Sequence, residues 1–339
     1  MRTATKPAPA RGAVSAGPAA RKMTLAGIRK GKKKSPDRIL LYGVKGVGKS
    51  TFAASAPAAV FISPEDGVDE LDVAVFDDPR PQAYDEVVGA VEALATEEHE
   101  YRTLVIDTID WVEHLVRDKI ISSTRDTKTG RPWTPADYDA FGRGVNLAVD
   151  EFRKLIEAME RMQRAKGMDV VLLAHARAIN FKNPVGEDYM MYSPAMGGRP
   201  LIDLWGDWVK AVLFANYDIE VQKGRGWEKN KARADGTRVV YTQFNACWEA
   251  KNRHGLPPAI DLNWDDYVAF RDQERSASVQ GMFEEIDQLK QRLGLTEKTA
   301  AKLDEKVKQA GEHPGRLQKV IDFLSEKVAA KEGGDDAGS

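Results

Sequence analysis

A glycine- and lysine-rich stretch, GVKGVGKST at Gly43–Thr51, constrains the fold of this chain more than any other feature. It fits the pattern G-x-x-x-x-G-K-S/T, which Gly48, Lys49 and Ser50 complete. The apolar run Ile39–Tyr42 precedes the stretch, and STFAAS, which begins at Ser50, has the composition of the first turns of a helix. Strand, loop and helix in this order are the setting in which such a loop binds phosphate. The sequence therefore predicts nucleotide binding, with a purely structural glycine turn as the alternative.

The residue types of this loop suit a nucleoside triphosphate bound with magnesium. Small side chains let consecutive backbone N–H groups converge on a phosphate, and the start of the following helix adds partial positive charge. Lys49 is expected to reach the β- and γ-phosphates, Ser50 to coordinate Mg²⁺, and Thr51 to contact the nucleotide near its α-phosphate. ATP and Mg²⁺ are therefore the expected cofactors. The predicted nucleotide-binding residues are Gly43, Val44, Lys45, Gly46, Val47, Gly48, Lys49, Ser50 and Thr51.

Beyond the loop, short apolar runs alternate with segments of helical spacing, and this alternation predicts an α/β fold. The segments of helical spacing are 82–94, 111–121 and 147–165. A parallel sheet flanked by helices binds its ligands at the carboxyl ends of its strands. Three polar residues fall at such ends, namely Glu65 after the run Val60–Ile62, Asp107 after Leu104–Ile106, and His175 within MDVVLLAHA.

These strand-end residues are the candidates for the chemistry. Asp107 is predicted to hold the hydration shell of Mg²⁺, whereas Asp110, close behind it, is explained more simply as a helix N-cap. Glu65 is placed to act as the catalytic base that orients the attacking water, or it is a solvated loop acid. His175 is a candidate sensor of the γ-phosphate, with a hydrogen-bonded structural histidine as the alternative. The segment after it, RAINFKNPVGEDYMMYSPAMGGR, is predicted to be a long loop at the ligand end of the sheet.

The pattern changes toward the C-terminus. Residues 208–261 are β-rich, and short helical patterns follow further on. The predicted organisation is a disordered basic arm (1–36), a P-loop ATPase core (37–263), a linker (264–280), a small helical module (281–330) and a disordered tail (331–339).

Positive charge is local rather than global, since the formal net charge is only −2. Residues 1–38 contain eleven Lys or Arg and one acid, Asp37. A nucleic-acid-binding arm, a solvated leader and a transit peptide all fit this composition. A second basic group surrounds Trp227 in an apparent hairpin tip. Lys and Arg neutralise phosphates while an aromatic ring stacks on an unpaired base, so the group suggests single-stranded DNA, with an ordinary charged hairpin as the alternative. Its members are Lys223, Arg225, Lys229, Lys231, Arg233 and Arg238.

Cysteine content and hydropathy bear on location. The single cysteine, Cys247, excludes an internal disulfide or a cysteine-based metal cluster and fits a reducing, cytoplasmic setting. No apolar run is long enough to cross a membrane, so no membrane partner is expected.

Taken together, LLYGVKGVGKST, VFISPEDG, YRTLVIDTID, VVLLAHA and EAKNRHGLP resemble the phage-encoded P-loop proteins of the RecA-like superfamily, which are associated with single-strand annealing and recombination. The resemblance spans about residues 23–261. It implies a RecA-like core, a ring- or filament-forming homo-oligomer, and ATP hydrolysis on single-stranded DNA. Glu65 matches the catalytic glutamate of that group, and His175 matches its polar residue at the end of the fourth core strand. Lys251 and Arg253 resemble the basic residues that reach a neighbouring subunit's nucleotide.

Two other functions compete with a DNA-stimulated ATPase. In the first, nucleotide gates assembly and the C-terminal helices recruit a DNA-replication partner, so that turnover is dispensable. In the second, the protein is a small-molecule kinase, which the absence of an Arg-rich lid pattern and the presence of the β-rich extension disfavour.

Overall fold

The computed structural model describes residues 24–25, 28–30, 35–65, 67–222, 231–294, 297–310, 317 and 320–328. The chain divides into two compact units. One is Lys34–Gly281, which contains the sheet and every strand-end residue discussed above. The other combines Met1–Lys33 with Met282–Ser339 and contains helices from the C-terminal part of the chain. The predicted arm and tail lie largely outside the described residues.

The first unit is built on a mixed, mostly parallel sheet. Its strands are β1 (Arg38–Gly43), β2 (Ala59–Ile62), β3 (Ala74–Val75), β4 (Thr103–Asp107), β5 (Asp169–Phe181), β6 (Tyr189–Pro194), β7 (Ala211–Gln222), β8 (Lys231–Tyr241), β9 (Lys251–Asn252) and β10 (Ala259–Asp261). The strand order is β10-β8-β7-β1-β5-β4-β2-β3, with β6 paired to β5 and β9 to β7. Strands β7 through β3 in this order are parallel, whereas β8 and β10 continue the sheet in antiparallel fashion.

Helices cover both faces of the sheet. The helices of this unit are α1 (Lys49–Ala54), α2 (Tyr84–Thr96), α3 (Ile109–Ser123), α4 (Pro135–Asp139), α5 (Arg143–Lys166), α6 (Arg199–Trp208) and the start of α7 (Trp264–Leu293). Helix α8 (Glu297–Ala310) belongs to the other unit. The described residues 320–328 are also helical. No helix among the described residues combines the length and apolar character needed to cross a membrane.

Two apolar cores form because consecutive strand residues point to opposite faces. On β1, Leu40 and Tyr42 join the larger core, which α2, α3, α5 and α6 cover. Ile39 and Leu41 join the second core, to which α1 and the start of α7 contribute. Because β1 is buried on both faces, its sequence is continuously apolar rather than alternating.

The segment 264–280, predicted to be a linker, is instead helical and belongs to α7. Trp264 and Tyr267, three residues apart on one helix face, are almost fully buried and pack edge-on against Phe52 of α1. The linker prediction was wrong because their burial depends on a partner more than two hundred residues earlier in the chain.

The segment after His175, predicted to be a long loop, is also different in the structure. Strand β5 continues to Phe181, and β6 returns antiparallel to it, with Ala176 opposite Pro194 and Phe181 opposite Tyr189. The segment is therefore mainly a β-hairpin that extends from the ligand end of the sheet. Its loop is confined to the residues between the two strands, and α6 follows the hairpin.

Candidate functional site

The glycine-rich loop connects the end of β1 to α1. A methyl group added to Gly43 would lie 2.3 Å from the carbonyl oxygen of Ala215 on β7, so the close approach of the two strands excludes any side chain there. Gly48 has φ +105°, a backbone conformation that favours glycine. Val47 is fully buried in the second core and fixes the loop between these two glycines.

Lys49 lies at the start of α1 and is 7% exposed. Its Nζ donates hydrogen bonds to the carbonyl oxygens of Gly43 and Val44, each at 3.2 Å. Burial lowers the pKa of this ammonium, while Asp107 and Asp110 favour its charged form. The side chain is therefore held along the loop, where a bound phosphate would compete with the two carbonyl groups for its protons.

Ser50 and Asp107 join the loop to the end of β4. Ser50 Oγ donates to Asp107 Oδ2 at 2.6 Å, and Asp107 is 7% exposed. Burial raises the pKa of Asp107, against the opposing effects of the Ser50 hydrogen bond and the Lys49 charge. A cation at this position would replace the solvation that burial has removed from the carboxylate.

The arrangement fits a magnesium ion of the type that phosphate-binding loops use. Among the described residues, no cluster of three or more His, Cys, Asp or Glu side chains could enclose a metal ion. Mg²⁺ does not need such a cage, because it commonly keeps several waters and takes one or two protein ligands plus substrate phosphates. Ser50 would supply the direct oxygen ligand, and Asp107 would bind the hydration shell.

Glu65 lies just beyond the end of β2 and is half-buried. Ser63 Oγ, which is fully buried, lies 2.8 Å from the Glu65 carbonyl and 3.0 Å from the Asp107 carbonyl, so it ties the two strand ends together. Arg80 also donates to the Glu65 carbonyl, at 3.3 Å. Burial raises the pKa of the Glu65 carboxyl, with Asp110 and Asp107 adding to the rise and His175 opposing it. A carboxyl with a raised pKa is better suited to accept a proton.

Asp110 binds His175 rather than capping a helix with its side chain. The N-cap of α3 is Thr108, and Asp110 lies in the first turn. Its Oδ1 accepts the backbone N–H of His175 at 3.0 Å, and its Oδ2 lies 2.8 Å from His175 Nδ1. Burial alone would raise the pKa of Asp110, but the hydrogen bonds from His175 lower it. Both roles considered for His175, sensor and structural histidine, are compatible with this contact.

Lys251 and Arg253 lie at the other end of the sheet. Val212 of β7 pairs with Leu40 of β1 on one side and with Lys251 of β9 on the other. Strand β9 is therefore level with the amino-terminal half of β1, away from the loop. Lys251 Nζ donates to the carbonyl oxygen of Gly206 in the last turn of α6 and to that of Val209, which follows the helix. These two side chains are therefore not grouped with the P-loop of their own chain, and a role at a neighbour's nucleotide stays a prediction.

Two further residues contact the loop from the β7–β8 side. Tyr217 Oη donates to the carbonyl of Gly46 at 3.0 Å. Arg238, which the sequence placed in a DNA-binding hairpin, has its guanidinium beside Gly48. Residues 223–230 of that hairpin lie outside the described residues, as do the side chains of Lys231 and Arg233. Nothing local in the sequence identified Tyr217, Ser63 or Arg80, because their contacts depend on strand order.

Comparison with known proteins agrees with this geometry. No curated protein matches the chain. The family described as an AAA domain matches residues 35–254, which is more than half of the chain and includes the loop, both acidic strand ends and His175. The fold, the loop and this match lead to one conclusion: the chain belongs to the AAA domain family, a family of P-loop NTPases.

Proposed function

We propose that this protein is a Mg²⁺-dependent ATPase whose turnover is stimulated by single-stranded DNA. The observation that carries the catalytic part is the convergence of Lys49, the Ser50–Asp107 pair and Glu65 at one edge of the sheet. These are the groups that phosphoryl transfer to water requires, namely a phosphate cradle, a metal site and a base.

The side chains divide the reaction between them. The P-loop amides and Lys49 bind the β- and γ-phosphates and stabilise the charge that develops on them. Magnesium bound beside Ser50 would neutralise part of that charge. Glu65 orients a water and accepts its proton as the water oxygen bonds to the γ-phosphorus. The bond from that phosphorus to the β–γ bridging oxygen breaks, and its electron pair leaves with ADP.

The proposed DNA contact draws on two regions. The sequence supplies basic residues in the arm and around Trp227. The β5–β6 hairpin adds two aromatic rings, those of Phe181 and Tyr189, whose centroids lie 5.1 Å apart with their planes tilted by 34°. Strand β5 runs directly from His175 into this hairpin. Single-stranded DNA bound to the hairpin could therefore shift His175 at the nucleotide site through β5.

Assembly is the third part of the proposal. A homo-oligomeric ring or filament would allow Lys251 and Arg253 to reach the γ-phosphate of a neighbouring subunit, where added positive charge speeds transfer. The C-terminal helices, including α8, would be available to recruit a protein partner. The phage recombination or annealing setting suggested by the sequence resemblance belongs to this proposal.

The decisive measurement is ATP hydrolysis without DNA, with single-stranded DNA and with duplex DNA, each at two salt concentrations. We expect stimulation by single strands that weakens as salt rises, and loss of turnover in Lys49→Ala. The nucleotide-gated scaffold would be favoured if single-stranded DNA bound without changing ATP turnover and if Glu65→Gln bound that DNA as tightly as wild type. No DNA binding at low salt would remove the DNA part and leave the ATPase.

A further inference from the structure

Two side chains of the β7–β8 hairpin lie directly against the P-loop. Tyr217 and Arg238 are paired across the two antiparallel strands, so they project from the same face of the sheet. Tyr217 Oη donates to the Gly46 carbonyl at 3.0 Å. A methyl group built on Gly48 would lie 2.8 Å from Nη1 of Arg238. The guanidinium is therefore in contact range of the loop backbone immediately before Lys49.

Strand order separates this pair from the metal site. Strands β7 and β8 lie on one side of β1, whereas β5, β4 and β2 lie on the other. The second group carries His175, Asp107 and Glu65, which are assigned to the γ-phosphate, the metal and the attacking water. The terminal phosphate therefore points toward β4. The α-phosphate and the nucleoside must then lie toward β7 and β8, where Arg238 is.

The chemistry of Arg238 matches that end of the nucleotide. Its side chain is exposed, and none of the described carboxylates forms an ion pair with it. A guanidinium carries a permanent charge and a planar fork of donors that fits two phosphate oxygens. Placed beside the loop, it can bind a phosphate that the backbone amides already hold.

We propose that Arg238 binds the α-phosphate of the nucleotide held in the P-loop of its own chain. The inference rests on the nucleotide-binding function proposed above and deepens it. It assigns Arg238 to the nucleotide rather than to DNA, and it requires no neighbouring subunit, in contrast to the prediction for Lys251 and Arg253. Tyr217 is a positioning residue, since it holds the loop carbonyl rather than the nucleotide.

The test compares nucleotide affinities in the full-length protein. Wild type, Arg238→Ala, Arg238→Lys and the control Arg164→Ala are titrated with ATP and with ADP by calorimetry. Arg164 is an exposed arginine on α5 that pairs with Glu160 in the preceding turn. We expect Arg238→Ala to weaken ATP and ADP binding by the same factor, about 10- to 100-fold, which is the loss typical of a charge-assisted hydrogen bond. Arg238→Lys should bind both nucleotides more tightly than Arg238→Ala but less tightly than wild type. The control Arg164→Ala should have wild-type affinities for ATP and ADP.

The outcomes distinguish failure of the Arg238 assignment from failure of the proposed ATPase function. Unchanged affinities in Arg238→Ala overturn the inference alone. Weakened ATP binding with normal ADP binding, or a loss in kcat rather than in KM, places the guanidinium at the γ-phosphate and also overturns it. A wild type that binds ATP without hydrolysing it refutes the ATPase but leaves the comparison of affinities valid. A wild type that binds neither nucleotide overturns both. Equal urea-unfolding midpoints for all four proteins show that folding is not the cause of any difference.

Discussion

Ser50 at the start of α1 donates a hydrogen bond to Asp107 at the end of β4, across 57 positions of sequence, and the two oxygens lie 2.6 Å apart. The contact forms because β1 and β4 are the two parallel neighbours of β5, so their carboxyl ends reach the same edge of the sheet. With its proton directed to the carboxylate, the Ser50 oxygen keeps its lone pairs for a cation. The pair thus joins the glycine-rich loop to the strand end that the proposed function assigns to Mg²⁺.

Asp107→Asn should raise the Mg²⁺ concentration that supports half-maximal hydrolysis by about 10- to 100-fold, the usual cost of losing a group that orients metal ligands or their waters. The physical reason is that an amide carries no charge to hold the hydrated ion. A Mg²⁺ titration of ATP turnover measures the shift. Asp150→Asn is the matched control, because Asp150 is an exposed acid on α5 that pairs with Arg153 one turn along the same helix. An unchanged Mg²⁺ midpoint in Asp107→Asn would remove Asp107 from the metal site.

Glu65→Gln should lower ATP turnover by about 10²- to 10⁴-fold, the range typical of general-base catalysis. The amide keeps the shape of the side chain but cannot accept the proton of the attacking water. ATP affinity, measured by calorimetry, should stay near the wild-type value because the P-loop is intact. Glu70→Gln, an exposed acid in the same loop, controls for loss of local charge. Wild-type turnover in Glu65→Gln would mean that Glu65 is only a solvated loop acid.

The pH profile of turnover provides a second test of Glu65. Burial raises the pKa of its carboxyl above the ordinary value of 4.5, so the protonated form persists to higher pH than for a free glutamate. Since the base must be deprotonated to act, turnover should fall as pH decreases through this raised pKa. The acidic limb should be lost from the residual activity of Glu65→Gln. A limb that is identical in both proteins would assign it to another group.

The P-loop and the strand ends could be predicted because their signals are local. The loop pattern lies within nine consecutive residues, and an acid that follows an apolar run needs only the rule that parallel strands end at one edge. The sequence therefore predicted that Lys49, Ser50 and Asp107 lie close together.

Contacts that depend on strand order could not be predicted in this way. Asp110 lies 65 positions from His175 in the sequence, and the two residues meet because β4 and β5 are neighbouring strands. From the sequence alone, a helix N-cap explained Asp110 with nearby residues only. Arg238 was predicted as part of a basic hairpin, but the register of β7 and β8 places it opposite Tyr217, with its guanidinium beside Gly48. The start of α7 was missed for the same reason, since Trp264 becomes a core residue only against α1.

A buried aspartate at the amino end of β1 holds the start of α7 to the sheet. Asp37 is 7% exposed. Its Oδ1 lies 2.9 Å from His254 Nε2, and its Oδ2 accepts from Tyr267 Oη at 2.7 Å and from Arg271 Nη1 at 3.3 Å. Burial alone would raise the pKa of Asp37, but its bonds to His254 and Tyr267 outweigh burial and lower it well below the ordinary value.

Asp37→Ala should reduce the free energy of unfolding by about 3–5 kcal/mol, the cost of breaking a buried charge pair and leaving its partners unsatisfied. Because the folded-state pKa of Asp37 lies below its unfolded value of 3.8, the stability it supplies is complete above that pH and is lost as pH falls below it. The difference between wild type and Asp37→Ala should therefore be largest near neutral pH and smaller at about pH 3. Urea unfolding at both pH values measures it, with Asp150→Ala as the exposed-acid control. A difference that is equal at the two pH values would show that Asp37 stabilises the fold by packing rather than by charge.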